Sequence, residues 1–187
     1  MELQHVNVKI FVAGELPVDP VKFIDVFHRW IQEDKMPELL VDVADYRHVP
    51  KGPGVLLICH ECDYSMDHTH GRWGMRYNRK AALEGSNADR FKQAVAGAAR
   101  GCLQMEKEFA ANGALNFSRS ELTLFVNDRA FAPNTPETLA AAKPDIESFF
   151  RAALGHSDFT LAHDRDPRAR FGVTLKSKKD FDLAKLV

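Results

Sequence analysis

The densest group of side chains able to bind a metal or move a proton is Cys59-His60-Glu61-Cys62-Asp63, followed closely by Asp67-His68-Thr69-His70. Imidazole, thiolate and carboxylate are the donors a divalent transition metal takes, so His60, Glu61, His68 and His70 are candidate metal ligands. In one extended strand, however, Cys59, Glu61 and Asp63 face one side while His60, Cys62 and Tyr64 face the other. The Cys-x-x-Cys spacing then chelates only if the strand ends in a knuckle. No second Cys-x-x-Cys follows, and a buried cysteine pair beside a solvated turn is the simpler expectation.

A second group, Arg72, Arg76, Arg79 and Lys80, offers guanidinium forks that clamp carboxylate or phosphate. The plainer alternative is a charged outer sheet face that blocks edge pairing. Trp30, Tyr64, Trp73 and Tyr77 have the ring types that line an apolar ligand groove, although aromatic residues at regular spacing also build cores. His28 shares a polar helical stripe with Asp25 and Arg29 and reads as a surface residue. His48 and His163 follow comparable strands and could face each other across a cleft. The basic stretch from Arg165 to Lys179 lacks interleaved exposed aromatics and reads as solvated, so no nucleic-acid partner is expected. There is no Gly-x-Ser-x-Gly, no phosphate loop and no dinucleotide fingerprint.

The whole chain sets bounds on these options. Its 187 residues suit one domain, taken as 1–187. With 45% hydrophobic and 27% charged residues the composition is that of a globular protein. A net charge of -1 provides no general attraction to nucleic acid or an anionic membrane. Three cysteines, Cys59, Cys62 and Cys102, suit thiols in a reducing compartment. The first residues lack a signal peptide's basic start and apolar block, and no apolar run approaches the roughly 20 residues of a membrane helix. A cytoplasmic protein without a membrane partner is the expectation.

The elements that must position the candidates can be placed in order. Val6, Val8, Ile10 and Val12 alternate with polar residues, the period of a half-buried strand. Asp19-Pro20 opens a helix carrying Phe23, Phe27, Trp30 and Ile31, which runs to about Asp34. Strands are expected over 39–46 and from Val55 into the cysteine pair, and a further one over 72–77 across a hairpin tip at 67–71. Phe91, Val95, Ala98, Cys102, Met105 and Phe109 mark one long helix over 87–112 that Asn112-Gly113 closes, with Gly97 and Gly101 permitting a close neighbour. Strands over 121–126, 159–164 and 172–175 flank a helix bearing Ile146, Phe149, Phe150 and Leu154. Pro144 suggests that this last helix starts there, with 136–142 as a separate turn.

The order repeats. Asp42 to Tyr46, Pro50, and Gly54-Val55-Leu56-Leu57 parallel Phe159 to Asp164, Pro167, and Gly172-Val173-Thr174-Leu175. The expected fold is therefore α+β: tandem βαββ(β) repeats, about 3–80 and 115–182, joined by the long helix and forming a curved, mainly antiparallel sheet with helices on one face. This order resembles the effector-binding domains of bacterial multidrug-responsive regulators and the SOUL haem-binding proteins. With the extra strand it also resembles the vicinal-oxygen-chelate family, in which a ligand near the first strand would correspond to His5. The first resemblance implies a small ligand in a cleft between the repeats. The leading expectation is a non-catalytic module that binds a small molecule or protein partner in an aromatic groove, through Trp30, Tyr64, Trp73, Arg76 and Tyr77. The alternatives are a metal-dependent enzyme built on the histidine-rich hairpin and a homodimeric assembly protein.

Overall fold

The alternating Val6, Val8, Ile10 and Val12 form strand β1 (Val6–Val12) in a computed structural model of the chain, which describes residues 1–112 and 115–187. Seven further strands follow: β2 (Leu40–Tyr46), β3 (Gly54–Cys59), β4 (Cys62–Asp67), β5 (Gly74–Arg79), β6 (Phe117–Val126), β7 (Phe159–His163) and β8 (Gly172–Ser177). They form one open α+β sheet in the order β2-β3-β4-β5-β1-β6-β8-β7, with every neighbouring pair antiparallel. The helices are α1 (Lys22–Gln32), α2 (Asn87–Glu108) and α3 (Pro136–Leu154).

Register assigns the two faces of this sheet. Val8 lies opposite Tyr77 on β5 and Leu124 on β6, and Leu57, Tyr64 and Val173 continue the same row. All six are buried. The helices reach the sheet through this face. On α2, a Cβ at Gly97 would stand 2.5 Å from the Tyr77 ring, and one at Gly101 would stand 3.0 Å from Met75. Phe23 of α1 packs 6.2 Å from Trp73, and Phe150 of α3 packs 6.4 Å from Phe159. One apolar cluster includes residues from every strand and helix.

Four local expectations are corrected or refined. The segment read as one strand through Cys59 and Cys62 is two strands joined by a turn at His60-Glu61, so both thiols fall on the helix-facing side. The turn resets the alternation that an unbroken strand would keep. Helix α3 runs continuously from Pro136 through Pro144, with Thr135 capping its start by accepting from Thr138 N at 3.3 Å. A proline inside a helix removes its own N–H from the ladder and crowds the carbonyl four residues back, and here the buried Ile146 and Phe150 offset that cost by holding the helix to its neighbours. Helix α2 starts in a capping box between Ser86 and Asp89 and ends at Glu108, before a 3-10 turn over Ala110–Asn112. The expected cap at Gly113 lies outside the described residues. At the start of α1, Asp19 caps a preliminary turn, accepting from Val21 N at 2.9 Å, and the helix proper begins at Lys22.

Among the described residues no helix is long and apolar enough to cross a membrane.

Candidate functional site

Among the described residues no helix covers the other face of the sheet, yet its centre is buried. On β1, Asn7, Lys9 and Phe11 point this way, and Lys9 is only 5% exposed. Beside them stand Arg76 and Asn78 on β5, Ser65 and Asp67 on β4, Thr123 and Phe125 on β6, and Thr174 on β8. Burying this many polar groups requires mutual hydrogen bonds. Lys9 Nζ donates to Asp67 Oδ1 at 2.6 Å, to the Thr69 carbonyl at 3.1 Å and to the Arg72 carbonyl at 2.6 Å. Those three bonds use all the donors of an ammonium and pin the β4–β5 connection to the middle of the sheet.

Asp67 is the hub of the network. Besides Lys9 it accepts from the backbone N of Thr69 at 3.1 Å and from the Thr69 hydroxyl, and Arg76 approaches at 3.5 Å. Burial pushes its pKa up, but Lys9 by charge and hydrogen bond, Thr69, and the charge of Arg76 outweigh burial and hold the carboxyl below its ordinary value. Arg72 forms a two-point ion pair with Glu121 at 3.0 and 2.9 Å while its guanidinium lies 3.8 Å from the Phe11 ring centroid.

These contacts shape a cavity of about 260 Å³. Its floor is Lys9, Phe11, Thr123, Phe125 and Thr174. The β4–β5 connection supplies His70 and Arg72 on one side, and the β7–β8 connection supplies Ala169 and Arg170 on the other. The second connection is held in place by Asn134 Nδ2, which donates to the Asp164 and Asp166 carbonyls at 2.8 Å each, and by Arg129, which donates to the Arg168 carbonyl at 2.8 Å. The site thus lies over the β1–β6 junction, closed by one hairpin from each half of the chain.

Arg170 differs from the other cations. Its guanidinium lies 4.9 Å from the Phe125 ring centroid, Arg76 lies 4.7 Å from the same ring, and its side-chain hydrogen bond goes to neutral Asn127 at 3.4 Å. Among the described residues it joins no ion pair. Burial first, then the charge of Arg76, brings its pKa down to about 10. Arg76 Nε is itself buried without a partner.

The residues named from sequence are dispersed. Trp30, Tyr64 and Tyr77 are fully buried on the helix side: the Trp30 indole donates to Glu108 at 2.9 Å, Tyr64 donates to Glu38 at 3.0 Å, and Tyr77 packs against Gly97. They are core, not the walls of a groove, because their strand and helix positions all select the inner face. Trp73 stacks on His68 at 4.5 Å and lines a separate 160 Å³ hollow. Of the five, only Arg76 lies on the cavity side of the sheet. His60 and Glu61 are exposed at the β3–β4 turn, where Glu61 pairs with Arg79 at 2.9 Å. His68 and His70 sit beyond the other end of β4, roughly 17 Å away at about 3.4 Å per strand residue, so the four do not converge. Among the described residues no group of three or more His, Cys, Asp or Glu is placed to hold a metal. His5 is 3.8 Å from Asp128. His48 and His163 belong to opposite edges of the sheet and do not face each other.

Lys9, Phe11, Phe125 and Arg170 were not singled out by the sequence. The only signal was a lysine at an odd position within an otherwise apolar strand.

Compared with known proteins, the chain matches no family model, no curated protein and no solved structure.

Proposed function

We propose that this protein is a non-catalytic module that binds a small organic molecule in the cavity over the β1–β6 junction. The observation that carries the reading is the cavity itself: a floor of Phe11 and Phe125 with the Thr123 and Thr174 hydroxyls, and one hairpin from each half closing it. At about 260 Å³ it lies just under the roughly 300–1,000 Å³ of drug-sized pockets, a volume suited to a metabolite-sized ligand. The one amine in it, Lys9, is saturated by three acceptors, which favours a binding role over that of a nucleophile or base.

Internal duplication belongs to this reading. Each half starts with a central strand and a helix, and in each the last strand returns to pair with the first, β5 with β1 and β8 with β6. That order supports two related units, the first enlarged by a hairpin, with the ligand held where they meet.

The test is a thermal-shift screen of a metabolite collection against the wild type and Ala169→Trp, which fills the cavity from its lip. Compounds that stabilise the wild type and not the variant support the reading. If no compound stabilises the wild type, or if hits stabilise both proteins equally, the reading fails.

A second reading has its own observation. Edge strand β2 and its flanks expose Leu39 at 69%, Val41 at 57% and Tyr46 at 43%, apolar surface on an unpaired edge suited to a protein partner or a second copy. Light scattering over a concentration series, comparing wild type with Val41→Lys, tests it: a wild-type monomer throughout counts against self-association.

A further inference from the structure

Resting on the reading of this cavity as a small-molecule site, we propose that its ligand carries an oxyanion, a carboxylate or a phosphate group, bound by Arg170 with Arg76 behind it, while its apolar body lies against Phe11 and Phe125.

The charges of the site lead to this. Lys9 is neutralised by Asp67, and Arg72 by Glu121. Asp67 is shared, so the one ion pair of Arg76 among the described residues is its longer 3.5 Å contact there; it also donates to Asn78 Oδ1 at 3.3 Å, and its Nε remains unpartnered. Arg170, half-buried in the cavity wall, joins no ion pair among the described residues and meets Arg76 across Phe125. Two guanidinium groups beside one ring, with one carboxylate near them that Lys9 already engages, are an arrangement that folding alone does not favour, because buried charge is normally paired. An anion in the cavity supplies the missing partner, and a planar guanidinium binds carboxylate or phosphate through two parallel bonds. Asp164 stands exposed at the rim and leaves the interior positive.

The floor points the same way. Thr123 Oγ1 and Thr174 Oγ1 are 2.9 Å apart, so one hydroxyl donates to the other and the second keeps a proton to offer. A ligand acceptor above the pair satisfies it. Arg170 and this hydroxyl give the cavity donors above an apolar floor, with the charge of Arg76 close behind Phe125, which selects a small amphiphilic acid over a neutral or cationic molecule.

The experiment uses three probes of one shape, phenylacetate, phenyl phosphate and neutral phenylacetamide, titrated by ligand-observed NMR into wild type, Arg170→Met and Ala169→Trp. The expected result is that at least one of the two anions binds the wild type roughly ten- to hundredfold more tightly than the amide, the range of a charged hydrogen bond. Arg170→Met removes that preference and Ala169→Trp removes binding. Which anion is preferred tells a carboxylate ligand from a phosphate ligand. Equal binding of acid and amide, lost in Ala169→Trp, overturns the oxyanion while leaving the small-molecule reading intact. No binding by any probe overturns both. Because Arg170 joins no ion pair among the described residues, Arg170→Met is expected to keep or raise the melting temperature, which separates lost recognition from lost folding.

Discussion

Lys9 Nζ and Asp67 Oδ1 lie 2.6 Å apart on the helix-free face of the sheet, with the lysine side chain 6% exposed and the aspartate 0%. The pair connects the fold to the cavity, because the same ammonium holds the Thr69 and Arg72 carbonyls that position one wall. A buried pair of this kind contributes little net stability, since desolvation offsets attraction, but a lone survivor is costly.

Lys9→Met leaves Asp67 with Arg76 and Thr69, whereas Asp67→Ala strands Lys9, Arg76 and the Thr69 hydroxyl together. Both variants are expected to lose about 3–5 kcal/mol in urea unfolding, with Asp67→Ala the worse. Lys9→Met/Asp67→Ala should lose less than the sum of the two, with a coupling of roughly 0.5–3 kcal/mol. Strict additivity in this cycle would show that the two side chains do not interact.

Acid should act through the same carboxyl. Its folded pKa lies below the ordinary value, so the stability it contributes is present above the unfolded aspartate pKa of about 3.9 and is lost as pH falls through the lower folded value. Between roughly pH 5 and 3 the wild type should lose more stability than Asp67→Asn, measured as the difference between their unfolding free energies at each pH. Parallel curves would remove Asp67 from the acid response.

The sequence made the share of β1 in the helix-side core legible because its alternation is clean: Val6, Val8, Ile10 and Val12 are buried on that face, whereas Tyr64 and Tyr77, expected to line a groove, are buried in the core beside them. The cavity was not legible for the same reason. Alternation assigns Asn7, Lys9 and Phe11 to solvent, but β1 is central in the sheet and the two hairpin connections cover its second face. Arg170 looked like one more charge in a solvated basic run, and nothing local reveals that Phe125 and Arg76 await it from strands far away in sequence. The cysteines show a third limit, in which a turn at His60-Glu61 altered the facing of every residue after it.

Close approach of α2 to β5 separates two glycines of one helix. A methyl at Gly97 would meet the fixed ring of buried Tyr77 at 2.5 Å, whereas at Gly101 it would meet adaptable Met75 and the edge of Tyr64 at 3.0 Å. Gly97→Ala should destabilise by about 1–3 kcal/mol through overpacking, despite up to about 1 kcal/mol of helix propensity gained. Gly101→Ala should be near neutral or stabilising. Chemical denaturation of the two variants side by side measures the contrast, and equal effects would contradict the packing argument.

The three thiols provide a probe of global opening. Cys59, Cys62 and Cys102 are each at most 1% exposed. The hydrogen bond shared with Cys62, which favours the protonated form, and then burial push the Cys59 thiol up, and burial pushes Cys102 well up. Thiolate is the reactive form, so both exposure and ionisation oppose modification in the folded state. With a chromogenic disulfide reagent at pH 8 the native protein should react at none of the three sites on the timescale of mixing. All three should then react together as denaturant is raised, following the unfolding transition seen by Trp30 fluorescence. A rapid phase of one equivalent in native buffer would mean local opening, and the double variant Cys59→Ala/Cys62→Ala would locate it: loss of that phase places the opening at the β3–β4 hairpin, and its persistence places it at α2.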